Sequence, residues 1–512
     1  MLLNAPPQFG EMQMNGLGSF KKWTLSVNQL PHKTALQRSD KNEKQRHMMT
    51  ACAMRVKQAF MLPTILLTGM SILSLGTASQ ALAQGYYIDE QSAKRLGDAF
   101  SGGAADASDA STVFYNPAGM VRLDGMQLVG NLSGVYTQTE VTMSGNSFDA
   151  SSASMASAIQ GQEQVNLDES FLIPSVYFSY QLSPSWHLGA SLNVPYSSGS
   201  EFDTDFVGRY FSLKSDITSV NLGLMASYRI SAKWSVGFGV NSQYIEAEIQ
   251  NQINSSGICQ LGVASGMPSQ LCAGLDSSGT YTDDGNVKMT GDDLAFGYTL
   301  GVLYQLDFDT RVGLNYRSKI SHTLTGDATI SAPAIVGMIE PMLTSRVEGG
   351  SVELVTPETL DLSGVYQLNE DWHVQATASW FRWSRFETLD IELDNGGGFS
   401  TAQNWDDSYR LAAGVGFQLT PNWMLRTGMA YETTPVPDDT VSLDFAFGDF
   451  YAVSVGASYA FSETLFFDLG YQHTFSFNRD ISQGSLIVDS AEISGNVETS
   501  INSLALGVNW LF

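Results

Sequence analysis

Apolar and polar residues alternate strictly along much of this chain. In Trp234–Tyr244, Trp234, Val236, Phe238, Val240 and Tyr244 share one face, and Ser235, Gly237, Gly239, Asn241 and Gln243 share the other. Leu294–Leu306 and Leu504–Phe512 repeat the pattern, with large apolar residues on one side and small or polar ones on the other. Side chains of a strand point to opposite faces in turn, so these runs predict β-strands with one greasy side. A soluble β-sandwich also alternates, but the runs here reach ten or more residues, the span of a tilted strand crossing a bilayer. A backbone in lipid must satisfy its own hydrogen bonds, so such strands have to close into a barrel.

One short unit recurs between the runs: an aromatic residue, an apolar residue, a brief polar turn and, in most copies, Trp. The copies are Tyr180-Gln-Leu-Ser-Pro-Ser-Trp186, Tyr228-Arg-Ile-Ser-Ala-Lys-Trp234, Tyr304-Gln-Leu-Asp-Phe-Asp-Thr310, Tyr366-Gln-Leu-Asn-Glu-Asp-Trp372, Phe417-Gln-Leu-Thr-Pro-Asn-Trp423 and the degenerate Tyr459-Ala-Phe-Ser-Glu-Thr-Leu465. Such turns join antiparallel strands. Aromatic residues clustered at short turns, with long polar loops at the other ends, fit an outer-membrane barrel. Six turns pair twelve strands. A first strand near Met126–Val141 and a last near Ala491–Phe512 bring the total to fourteen. The fold class read from this is all-β, a 14-stranded antiparallel transmembrane β-barrel.

The start of the chain reads differently. Ala59–Gly76 is apolar, follows Arg55 and Lys57, and leads to Ala81-Leu82-Ala83. A basic flank, an apolar run and an A-x-A site make a secretory signal peptide, read as residues 54–83; a membrane anchor is the other reading. Residues 1–53 are then an extension that translation from Met54 would omit. Charged residues are only 15% of the chain, against roughly 25% in soluble domains. Without residues 1–83 the chain keeps 17 basic and 49 acidic residues, a charge near −32. That speaks against nucleic acid, whose phosphates need cations. It suits acidic exposed loops that hold divalent cations bridging lipopolysaccharide. Cys259 and Cys272 would form a disulfide in an oxidising compartment. Nothing in the sequence calls for a cofactor or a metal.

Residues 84–125 do not alternate. They are rich in Ala, Gly and Ser, and suit a segment packed inside a barrel; a free periplasmic tail is the alternative. The stretches Leu96-Gly97…Phe100-Ser101-Gly102 and Asp106–Ser111, and the motif Asn116-Pro117-Ala118-Gly119, resemble the N-terminal hatch of the FadL/TodX family of outer-membrane transporters. The resemblance extends over residues 84–512 and implies an N-terminal hatch, 84–125, plugging the lumen of a barrel, 126–512. It also implies passive uptake of hydrophobic molecules such as long-chain fatty acids. Ligand would pass from a loop groove to a lumen pocket and leave sideways beside a kinked third strand. By count that strand is Trp186–Tyr196, which places Asn193, Pro195 and Tyr196 at the opening; Pro marks a bulge or edge.

Two loops are expected to be long, 251–292 and 328–350. The second carries Ile335, Val336, Ile339 and Met342, too greasy for a loop bathed in water. These residues form either a ligand groove or a packed loop helix. Strand parity sends Arg317, Lys319, Arg410 and Arg426 into the lumen, where they would meet a fatty-acid carboxylate or pair with Asp361, Glu432, Asp468, Asp106 and Asp109. Phe512 resembles the terminal aromatic read by the barrel assembly machinery, and a monomer is expected. Competing functions are uptake of aromatic hydrocarbons, a hydrophilic porin, an adhesin, or a phospholipase-type enzyme. For the last, His187 and His373 face inward without a nucleophile motif beside them.

Overall fold

The computed structural model describes residues 85–144, 159–275, 283–484 and 492–512. The extension 1–53 and the signal 54–83 lie outside the described residues. Fourteen antiparallel strands form one closed wall. They are β1 (Met126–Ser144), β2 (Gln164–Gln181), β3 (Trp186–Asn193, resuming as Ser197–Glu201), β4 (Lys214–Arg229), β5 (Trp234–Ile253) and β6 (Gly285–Gln305). Next come β7 (Thr310–Arg317, then Ile320–Ser331), β8 (Arg346–Thr356, then Glu358–Gln367), β9 (Trp372–Arg382) and β10 (Ser408–Thr420). The last four are β11 (Trp423–Glu432), β12 (Phe450–Ala460), β13 (Leu465–Ser476, then Arg479–Gly484) and β14 (Glu492–Leu511). Pairing of β1 with β14, from Gln127↔Leu511 to Ser144↔Ser494, closes the wall.

The alternation read from the sequence is the alternation of the wall. On β5, Trp234, Phe238, Val240 and Tyr244 are exposed on the outside, and Ser235, Asn241 and Gln243 are buried inside. Lipid is the solvent for the outer face, so apolar exposure there costs nothing. The recurring turn unit also has a physical basis. Its first polar residue caps the turn: Asp307 Oδ1 accepts from Thr310 N at 2.7 Å, and Asn369 Oδ1 from Trp372 N at 3.0 Å. Asn, Asp and Ser make such local bonds readily. Gln367 and Gln418 donate to turn carbonyls at Asn369 and Thr420, both at 2.7 Å. The two aromatics of the unit do not meet each other. Each Trp pairs in register with the aromatic that opens the turn of the next hairpin: Trp186 with Tyr228, Trp234 with Tyr304, Trp372 with Phe417 and Trp423 with Tyr459. Their ring centroids lie 4.2–4.8 Å apart. The girdle therefore ties neighbouring hairpins together.

Two expectations need correction. The strands run further than apolar alternation shows: β5 and β6 hold register from Trp234↔Tyr304 out to Ile253↔Gly285. Ladder hydrogen bonds continue above the lipid, where polar pairs such as Glu246↔Asp292 replace apolar ones. The long loops therefore shrink to 254–284 and 332–345. Parity also fails in β7. Arg317 pairs with Thr299 and Thr325 with Asp292 on β6, one residue more on β7 than on its partner. The extra residue makes a bulge at Ser318. Arg317 and Ser318 are both buried, and Lys319 is exposed on the outer side with Ser321 and Thr323. Lys319 is not a lumen residue.

Candidate ligand-binding site

The hatch, residues 85–125, folds inside the wall as short helical turns at Ala93–Leu96, Gly103–Asp106, Thr112–Tyr115 and Pro117–Arg122. It is held through its own backbone. Asn116, fully buried, donates through Nδ2 to Ala104 O at 2.7 Å and to Val302 O of β6 at 3.0 Å, while its Oδ1 accepts from Ala118 N at 3.0 Å. Pro117 opens the last turn, where its missing N–H is not needed. Gly119 lies against Thr112, where any side chain would collide with the threonine hydroxyl. Ala118 is buried with Ala105, Ala107 and Leu303.

Wall arginines reach hatch carbonyl oxygens. Arg317 donates to Phe114 O at 3.2 Å, Arg311 to Ala105 O at 3.1 Å, Arg410 to Ala99 O at 3.1 Å and Arg229 to Val121 O. Arg410 also pairs with the hatch carboxylate Asp89. Arg426 donates to Ser458 Oγ at 2.6 Å. Four lumen arginines thus latch the hatch through its carbonyl oxygens, and of the acids expected as partners Glu432 lies 4.0 Å from Arg410 Nε. Within the hatch, Lys94 meets Asp109 at 3.2 Å and Arg95 meets Asp98 at 3.3 Å.

The third strand breaks where Pro195 stands. Up to Asn193, β3 pairs with β2 through Val176–Gln181 and with β4 through Asn221–Tyr228. Beyond the break it pairs with β4 alone, and Gln164–Ser175 of β2 have no ladder partner on that side among the described residues. The start of the hatch occupies the seam. Ile88 N donates to Pro195 O and Ser197 N to Tyr86 O, both at 2.9 Å, and Tyr87 bridges to Tyr196. Gln91 Nε2 donates to Val194 O at 2.6 Å, and Gln91 O accepts from Ser175 Oγ and Tyr177 OH of β2 at 2.7 and 2.9 Å. Asn193 accepts from Asn221 Nδ2 at 3.1 Å. Asn193, Pro195 and Tyr196 therefore come together where the start of the hatch and the wall exchange backbone bonds.

Above the hatch the lumen is apolar. Tyr86, Tyr87 and Tyr196 join wall residues Leu324, Leu354, Phe381 and Trp383 in one buried cluster. Phe202–Phe211 and Val436–Phe447, segments of two loops, fold into the same cluster. Its rings form a continuous chain. Tyr196 lies 5.8 Å from Tyr86, Tyr86 4.8 Å from Trp383, Trp383 5.2 Å from Trp405, and Trp405 5.2 Å from Phe445. The Nε1 groups of Trp383 and Trp405 are buried without a hydrogen-bond partner among the described residues. Arg317 borders the cluster beside Tyr87 and Tyr196 and lies 4.1 Å over the Phe114 ring. Sequence reading missed this cluster. Trp383, Phe386 and Trp405 fall where strict alternation has ended, and periodicity gives no sign that loop residues fold inward.

In the second long loop, Val336 is fully buried with Ile253, Ile258, Val287, Ile330 and Leu343. Ile335 and Ile339 are half-buried against that cluster, and Ile339 sits beside Gly262 of the Ser255–Ala264 helix. Met342 and Met338 are exposed. The greasy residues thus dock one loop on the other and leave the two methionines outward. Cys259 and Cys272 are disulfide-bonded within the first loop, with Cα atoms 6.0 Å apart.

Comparison with known proteins finds that the model of the outer membrane protein transport protein family, OMPP1/FadL/TodX, matches residues 74–512. A "Long-chain fatty acid transport protein" of Escherichia coli O6:H1 is 30% identical over 407 residues, covering 77% of this chain and 88% of the relative. "Outer membrane protein P1" of Haemophilus influenzae is 28% identical over 465 residues, covering 86% and 96%. Among solved structures, a Pseudomonas aeruginosa FadL homologue superposes with a TM-score of 0.74 at 20% identity, covering 83% of this chain and 99% of that one. The Pseudomonas putida toluene transporter TodX does so with 0.55 at 18% identity, covering 79% and 94%. At such identities the likeness speaks for the fold.

Proposed function

The chain belongs to the OMPP1/FadL/TodX family of outer-membrane transport proteins, and from that premise we propose that it carries long-chain fatty acids inward by passive diffusion. It is an outer-membrane transporter of hydrophobic molecules, in a family of channels rather than enzymes. The finer reading concerns cargo and route. The observation that supports it most is that Tyr196 belongs both to the break in β3 and to the apolar cluster. A hydrocarbon chain lying along the rings from Phe445 to Tyr196 would end at the β2–β3 seam. It would leave through that seam into the bilayer, with Asn193, Pro195 and Tyr196 as its margin. Ile335, Val336, Ile339 and Met342 shape the loop platform, and Met342 is the one of these exposed to arriving ligand. Arg317 is the lumen cation placed to meet the carboxylate. Arg410 and Arg426 hold the hatch and the wall beneath it. Assembly through the terminal Phe512 and a monomeric state belong to the same reading.

Uptake of radiolabelled oleate by a Gram-negative strain lacking its own fatty-acid channel tests the cargo. Expression of this chain is expected to restore uptake above vector background. Uptake of toluene without oleate would turn the cargo to aromatic hydrocarbons. Arg317→Gln is expected to raise the half-saturating oleate concentration about tenfold, the worth of one hydrogen bond to a charged group; an unchanged concentration would remove Arg317 from the site.

A further inference from the structure

The outer wall carries a cationic patch that transport leaves without a role. The bulge at Ser318 turns Lys319 outward, where it is exposed and makes no hydrogen bond or ion pair with the described residues. On the adjoining strands, Glu358 of β8 stands opposite Arg382 of β9 in register. Glu358 is largely buried between two guanidinium groups, Arg382 Nη1 at 3.2 Å and Arg385 Nη2 at 2.9 Å. A guanidinium has five N–H donors, so each arginine keeps most of its donors for another partner. The side chains are 42% and 32% exposed, and Arg385 Nε has no partner among the described residues. The register pairs Ile320↔Thr356 and Arg317↔Thr359 set Lys319 level with Pro357. Lys319 is therefore about 10 Å from Arg382, two strand spacings away.

The height of the patch is fixed by its neighbours. Just below it stand outward aromatics: Tyr298 and Tyr316 of β6 and β7 with rings 6.0 Å apart, then Trp380 and Tyr409 of β9 and β10, with Leu360 of β8 between the two pairs. Aromatic girdles mark the edge of the hydrocarbon. The short turns lie at the other end of the strands, so this edge is the extracellular one. Asp407 accepts from Trp380 Nε1 at 2.8 Å and Ser384 N at 3.2 Å. Three cations thus stand together beside two carboxylates that are already engaged, Glu358 and Asp407, in a chain whose exported part is near −32. Other cations near the loop ends are matched. Lys214 and Lys288 both sit on Glu248, at 3.4 and 2.9 Å, Arg346 sits on Glu348 at 2.7 Å, and Arg479 on Asp438 at 2.8 Å.

We infer that Lys319, Arg382 and Arg385 bind the phosphate of a phosphorylated glycolipid in the outer leaflet, with the aromatic girdle against its acyl chains. Arg forks match phosphate geometry, and basic side chains at a membrane edge recruit anionic head groups. Glu358 holds the two guanidinium groups together.

The full-length exported protein in phosphatidylcholine nanodiscs, titrated with bis-phosphorylated lipid A and with its dephosphorylated form, tests this by native mass spectrometry. The phosphorylated form is expected to bind more tightly, by about fivefold for each cation engaged. The preference should vanish in Lys319→Gln/Arg382→Gln/Arg385→Gln and survive in Lys288→Gln. Lys319→Gln alone, at an exposed and unpaired side chain, should weaken binding without touching the fold, which heat-modifiable gel mobility reports. Excess inorganic phosphate should not compete. Equal binding of the two lipids, an unaltered preference in the triple variant, or displacement by free phosphate would each overturn the inference.

Discussion

At the scale of single residues, parity located the lumen arginines and geometry adds the partners they meet. Arg317 and Arg410 do point inward, but their first partners are hatch oxygens. Breaking a buried pair by removing one member costs about 3–5 kcal/mol. Arg410→Met is therefore expected to lower hydrogen-exchange protection of the hatch near Ala99 by about that amount while the wall stays protected; unchanged protection would show that Arg410 is not a latch. Lys319 was misread because an inserted residue, Ser318, carries no mark in the sequence, and one extra residue sends every later side chain to the other face. A second residue makes a pH prediction. Asp444, in the loop between β11 and β12, accepts from Ser212 Oγ at 2.6 Å. Burial pushes its carboxyl up from 3.8 to about 6, against the pull of the Ser212 hydroxyl. The folded loop favours the protonated form. Its stabilisation is full below pH 3.8 and is lost as pH rises through about 6. Limited proteolysis of residues 433–449 should then be faster above pH 7 than at about pH 5, and Asp444→Asn should remove the difference. A pH-independent rate in the unaltered protein would contradict the assignment.

At the scale of elements, the hairpins were legible because each carries two signals at once: alternation in the strands and a capping residue in the turn. The cross-hairpin stacking of Trp on the next aromatic was not, since the sequence shows the unit but not which neighbour it meets. Strand ends were underestimated for a physical reason: alternation reports lipid contact, whereas the ladder reports backbone bonds. The hatch motif Asn116-Pro117-Ala118-Gly119 was visible, but its counterpart on the wall was not. Gly313 and Gly456 face the hatch with no room for a side chain. A Cβ on Gly313 would strike Ala104 O, and one on Gly456 would come 2.6 Å from Gly97 Cα. Gly313→Val is expected to displace the hatch at a cost of about 1–3 kcal/mol, seen as a new steady conductance in planar bilayers. A silent bilayer with intact hatch protection would mean the wall yields instead.

At the scale of the whole molecule, the proposed path would go in from the loops and out through the side, past an internal stopper and through the seam that the described residues of β2 and β3 leave unpaired. The seam is bridged by Tyr86–Ile88 rather than by β2. The most direct test fixes the body of the hatch to the wall. Ala104 N donates to Ser363 Oγ at 3.1 Å, which brings β8 against the hatch, and Ala104→Cys/Ser363→Cys would join them. Oleate uptake by cells carrying the oxidised pair should match uptake by the reduced pair, because on the proposed route ligand would leave beside Pro195 without crossing the hatch. Uptake abolished on oxidation and restored by reductant would mean that the hatch itself must move out of the way, and would contradict a sideways exit.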